Sequence, residues 1–139
     1  MVQINISYEG GLHCSATHQP SGTSLTTDAP VDNQGKGESF SPTDLVATAL
    51  GTCIATTIDI HARRQLIDLT GMRLTVKKEM SSAAPRRIAK LETEIWFPFP
   101  LKNDPERLLE KVALSCPVHH SLSEAVQKPI TFHYLEETA

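Results

Sequence analysis

The sequence predicts an α+β fold with antiparallel sheets, and three observations carry that prediction. Residues 2–18 alternate apolar and polar side chains around a glycine turn. Two more alternating segments, 72–80 and 86–97, are joined by a short turn. The one long apolar stretch, 42–64, has a spacing of three and four, which is helical. A chain of 139 residues is long enough to bury a core and is read as one domain, 1–139, without repeat or linker.

Val2, Ile4, Ile6 and Tyr8 face one side of a first strand. "EGG" at 9–11 turns the chain, and Leu12, Cys14 and Ala16 alternate again, so a hairpin is expected. "PSG" at 20–22 is a second turn, and "TSLTT" at 23–27 is a short third strand. "DAPVDNQGKGESFSP", rich in Gly, Pro, Asp and Asn, is a loop. The helix that follows starts at Ser41, a good N-cap, with Pro42 in the first position. Asp44 stands where a capping box needs its acidic residue. Val46, Ala49/Leu50, Cys53 and Thr57 form an apolar stripe, with Leu45, Ile54, Ile58 and Ala62 on neighbouring stripes. A helix so apolar around its circumference is expected to pack on more than one side. Beyond it, Leu91, Thr93, Ile95 and Phe97 face one way on the strand 86–97, which ends at "PFP". "NDPERLLEKVAL" reads as a helix capped by Asn103 or Asp104, and "CPVHHSLSEAV" as the start of another with Cys116 at or beside its cap. "PITFHYLEE" is the last strand.

A net charge of −3 offers no basic surface, so no nucleic acid is expected as a partner. No uninterrupted apolar run approaches the roughly 18 residues of a membrane span, so no membrane is expected either. The first residues lack a basic segment followed by an apolar one, and a cytoplasmic location is the expectation.

Three widely spaced cysteines do not suggest a structural disulfide framework. Cys116 at a helix N-terminus would face unpaired N–H groups that favour a thiolate, although packing places cysteines there too. Cys53, in mid-helix, gains nothing from the helix dipole, and taken alone it reads as a core residue. Cys116, His119 and His120 offer zinc-type ligands but too few of them, so neither metal nor cofactor is expected. No phosphate-loop, dinucleotide or nucleophile-elbow motif is present.

Taken together, "SPTDLVATALGTC" and "CPVHHSLSEAV" resemble the two signatures of the OsmC/Ohr family, in a divergent OsmC-like branch, and the surrounding elements match along essentially the whole chain. The resemblance implies an intertwined homodimer with a central buried cysteine-bearing helix and active sites at the interface. It implies reduction of organic hydroperoxides, with Cys53 as peroxidatic thiol, Cys116 as its disulfide partner and a lipoyl-type dithiol as reductant. The family's peroxidases set an N-terminal arginine, paired to a glutamate, beside the first cysteine. Here that stretch reads "YEGGLHCS", and the first arginine of the chain is Arg63. The arginine position falls near Leu12 or His13, and the glutamate position on Thr43 beside Asp44. His13, His18, Lys36 and Arg63 are the cations available to replace it, with Glu38, Asp44 and His119 as further supporting candidates. The alternative on the same scaffold is a small-molecule-binding protein or thiol redox sensor without efficient turnover.

Overall fold

The computed structural model describes residues 1–137. The chain divides into two compact units, Met1–Val46 and Ala47–Ala139. One helix begins in the first and continues through the second.

The first unit is a three-stranded antiparallel sheet: β1 (Ile4–Tyr8), β2 (His13–His18) and β3 (Ser24–Asp28), in that order. Its register pairs Tyr8 with Cys14 and Ile6 with Ala16, and His13 with Asp28. Pleating therefore gathers Ile4, Ile6, Tyr8, Cys14, Ala16 and Leu25 on one face. His13, Ser15, Thr26 and Asp28 share the other. The loop after β3 contains a single 3₁₀ turn, Val31–Asn33, and folds back tightly. Gly35 is obligatory there, because a Cβ at this position would lie 1.6 Å from the Ala29 carbonyl oxygen.

Helix α1 (Pro42–Arg64) starts with the expected reciprocal cap. The Ser41 N–H donates to Asp44 Oδ2 at 2.9 Å, and the Asp44 N–H donates to Ser41 Oγ at 3.1 Å. Its buried residues form one stripe: Ala47, Leu50, Gly51, Ile54, Ile58 and Ala62. This differs from the predicted stripe through Val46, Cys53 and Thr57, all three of which are only half-buried. Close approach decides between the two stripes. A Cβ on Gly51 would lie 2.9 Å from Val76 Cγ2, so the glycine edge is the one that can approach Val76. Within the single chain the remaining faces of α1, including Thr48, Thr52, Thr56 and Ile60, are open. By length and composition alone the helix could cross a membrane; here one stripe of it is packed inside the second unit.

The second unit holds β4 (Arg73–Met80), β5 (Ile88–Pro100) and β6 (Ile130–Leu135). β4 and β5 pair antiparallel as expected, whereas β6 adds a parallel pairing to β5. The chain between β5 and β6 therefore forms a crossover rather than a hairpin. Leu91, Thr93, Ile95, Phe97 and Phe99 are the buried face of β5. That strand runs on through the prolines of "PFP" to Pro100. Pairing with β4 stops at Arg73–Trp96, so the N–H groups missing at Pro98 and Pro100 interrupt no ladder there.

The predicted helix at 103–114 is shorter than expected. α2 spans only Leu108–Ala113. Pro105 lies in a turn, and Arg107 takes a left-handed conformation, φ 55°. Asp104 still caps, but later: its carboxylate accepts the N–H groups of Leu108 at 3.1 Å and Leu109 at 3.0 Å. The Arg107 guanidinium holds Glu110 at 3.0 Å and lies over the Tyr134 ring. The Tyr134 hydroxyl donates to the same Glu110 carboxylate at 2.5 Å. Burial and that carboxylate push the Tyr134 phenol well above its ordinary range. α3 (Pro117–Ser121) follows almost at once and brings Cys116 into the core.

Candidate active site: a thiol pair

Cys116 is the N-cap of α3. Its sulfur accepts the His119 N–H at 3.2 Å, and its side chain is fully buried. Cys53, half-exposed on α1, lies near enough to it to raise its pKa. Both cysteines are free thiols, and both belong to the second unit. The two sequence motifs therefore converge on a sulfur pair.

The chemistry of Cys116 departs from the expectation of a thiolate. Burial raises its pKa first, and the neighbouring Cys53 side chain raises it further. The N–H groups of His119 and Val118 pull in the opposite direction and do not prevail. A helix of five residues has little dipole to offer, and a wholly desolvated sulfur resists charge. The His119 imidazole does not help either. Burial, then Lys128 and His120, hold its pKa below the ordinary value, so it adds no cation beside the sulfur. The His119 and His120 rings meet edge to face at 6.0 Å. Among the described residues no three His, Cys, Asp or Glu side chains gather as a metal site.

The other candidates divide between two places. In the first unit, His13 Nδ1 meets Asp28 Oδ1 at 2.5 Å. Its Nε2 lies 3.7 Å from Glu9. The hydrogen bond His13 donates to Asp28, with the charges of Asp28, Glu9 and Glu38, raises the His13 pKa. Glu38 also ties the loop down, its N–H donating to Asp28 Oδ2 at 3.1 Å. Asp28 is buried and is the member of this cluster that reading the sequence missed. It lies in the stretch read as loop, and only the register of β2 and β3 sets it opposite His13. Asp44 is engaged by the Ser41 cap. Arg63 is ten residues beyond Cys53, about 15 Å along the helix. It pairs with Asp59 at 2.8 Å and does not stand by the thiols.

A model of the family described as OsmC-like protein matches residues 35–130, a span holding both thiols. Among solved structures, the chain is 41% identical to a protein from Psychrobacter arcticus 273-4 assigned to the osmotic stress induced and detoxification response. The match covers 96% of each chain, with a TM-score of 0.89. An organic hydroperoxide resistance protein from Legionella pneumophila shares the fold at 17% identity, 96% of each chain and a TM-score of 0.78. A protein from Vibrio cholerae assigned to organic hydroperoxide resistance, with captopril bound in one of its active sites, matches at 17% identity. That match covers 96% of this chain and 92% of the other, with a TM-score of 0.75. No curated protein matches the chain.

Proposed function

The chain belongs to the OsmC-like protein family, and from that premise we propose that it is a thiol-dependent peroxidase acting on organic hydroperoxides. The observation that carries this reading is the nearness of Cys53 to Cys116, enough to raise the Cys116 pKa although the motifs lie 63 residues apart. A pair of neighbouring free thiols, one reachable from solvent and one buried, is what a two-cysteine reduction needs.

Cys53 is the attacking thiol, because Cys116 is sealed from solvent. Its thiolate attacks a peroxide oxygen. The S–O bond forms, the O–O bond breaks, and the departing alkoxide takes a proton and leaves as alcohol. Cys53 is now a sulfenic acid, and the peroxide has gained two electrons. The Cys116 sulfur then attacks the Cys53 sulfur. The S–S bond forms, and hydroxide leaves with the Cys116 proton as water. A dithiol of the lipoyl type reduces the disulfide by two exchange steps and is itself oxidised to a cyclic disulfide. No resident cofactor or metal enters this cycle. Of the supporting candidates, His13 is the one whose pKa is raised, chiefly by its hydrogen bond with Asp28, whereas the Arg63 guanidinium is already paired with Asp59.

The functional form in this reading is a homodimer. Every buried apolar side chain among the described residues lies at or beyond Ala47; the first unit buries only Asp28 and Ser41. A three-stranded sheet exposing Ile4, Ile6 and Tyr8 cannot stabilise itself in water, and a second copy supplies the missing cover. Turnover of cumene hydroperoxide with dihydrolipoamide tests the catalytic reading. Wild-type protein should consume peroxide continuously, and Cys53→Ser should abolish consumption. Unchanged peroxide in the presence of wild-type protein would leave the binding or sensing alternative standing instead.

A further inference from the structure

Asp28 is the point at which the loop between β3 and α1 is fastened. Its N–H donates to the Phe40 carbonyl at 3.1 Å, and the next N–H, of Ala29, donates to the Leu12 carbonyl at 3.1 Å. Its buried carboxylate is engaged through both oxygens. Oδ2 accepts the Glu38 N–H at 3.1 Å, and Oδ1 accepts from His13 Nδ1 at 2.5 Å. Between these ties the chain packs on itself, with Gly35 against the Ala29 carbonyl and Gly37 against Val31. The charged groups that face His13 are carboxylates: Glu9 from the turn before β2, Asp28 from β3 and Glu38 from the loop. All of these residues lie within the first unit.

We infer that His13 and Asp28 form a pH-sensitive clasp: the imidazolium holds the Asp28 carboxylate where it fastens the 29–40 loop, and loss of the His13 proton releases the middle of that loop. A buried carboxylate is compensated while a cation stands against it. Beside a neutral imidazole it is not, and hydration draws it outward. The Glu38 N–H then loses its acceptor. The Asp28–Phe40 backbone bond and the bond from Ser39 Oγ to the Thr26 carbonyl remain, so the opening is confined to the span between them. The His13 pKa lies above 6.5, chiefly through the hydrogen bond to Asp28. The clasp is therefore closed below 6.5 and opens as pH rises through the elevated value. The loop leads directly into the Ser41 cap of the helix that carries Cys53, but the clasp does not depend on what the thiols react with.

Lys36 lies in the span that opens and is exposed. It is the first lysine or arginine of the chain, and the next is Arg63. Trypsin cleavage after Lys36, read by mass spectrometry as the fragment 1–36, therefore reports the opening of the loop. Each rate is divided by that of a synthetic peptide of residues 29–41 at the same pH, which cancels the pH dependence of trypsin itself. Far-UV circular dichroism at each pH verifies that the protein is folded. Wild-type protein should be cleaved about tenfold faster at about pH 9 than at about pH 6, the effect of losing a hydrogen bond to a charged group. His13→Gln keeps a neutral donor and should be cleaved fast at both pH values. His13→Arg carries a permanent charge and should resist at both. Asp28→Asn, with no charge to compensate, should show no pH dependence. A wild-type rate that does not respond to pH overturns the inference. So does a pH effect that persists in His13→Gln or Asp28→Asn, or a His13→Arg loop that opens at high pH.

Discussion

Asp28 sets the charge on His13. A histidine with a carboxylate at 2.5 Å keeps its proton at higher pH than the ordinary 6.5. Such a group stabilises the fold fully below 6.5 and loses that contribution as pH rises through its elevated folded value. Asp28→Asn retains an acceptor for the Glu38 N–H but removes the charge. Following the His13 ring protons by NMR, we expect a midpoint above 6.5 in the wild type and a fall toward 6.5 in Asp28→Asn. Identical midpoints would show that Asp28 is not the cause. At this scale the sequence was legible wherever one residue acts on its near neighbours. Ser41, Asp44 and the Cys116 cap were all found, because capping is a contact over three residues. Side-chain acidity was not legible. Cys116 looked set up for a thiolate from its helix position, and the burial that outweighs this is a property of the packed core. Asp28 sits in a stretch that reads as loop, and only strand register reveals its partner.

Periodicity located α1 but did not choose its buried stripe. Two stripes satisfied the three-four spacing, and the fit of Gly51 against Val76 selected one. Gly51→Ala tests that fit. Alanine should gain about 1 kcal/mol of helix propensity. The new methyl meets a stiff β-branched side chain at 2.9 Å, and overpacking of that kind costs about 1–3 kcal/mol. Urea denaturation should show net destabilisation of about 1 kcal/mol. In a Val76→Ala background the same change should become neutral or stabilising; stabilisation in the wild-type background would contradict the contact. Other elements diverged for reasons of the same kind. α2 starts at Leu108 rather than near Pro105, because the Arg107–Glu110–Tyr134 cluster fixes the turn before it. β6 lies parallel to β5, a choice made by the crossover through α2 and α3 and invisible in strand periodicity.

For the whole molecule, the distribution of burial is the main argument. The second unit has a core of Leu50, Ile54, Ile58, Leu91, Ile95 and Leu109, all essentially inaccessible. The first has none of its own, and the open side of α1 presents small threonines whose hydroxyls turn back to their own helix. Thr52 Oγ1 donates to the Thr48 carbonyl at 2.8 Å and Thr56 Oγ1 to the Thr52 carbonyl at 3.0 Å. Those threonines expose methyl groups, which suit close packing against another element. Light scattering in line with gel filtration should therefore give twice 15.2 kDa. A monomer stable at low micromolar concentration would refute the homodimer. The family was legible in the sequence because each motif is local and their order along the chain is fixed. The nearness of Cys53 and Cys116 is tertiary, and the proposed chemistry depends on it. The most direct test adds one equivalent of cumene hydroperoxide to reduced protein and maps the digest, without reductant, by mass spectrometry. The account predicts a peptide pair linked through Cys53 and Cys116, with Cys14 still free. Two unlinked, fully alkylatable peptides beside intact hydroperoxide would contradict it.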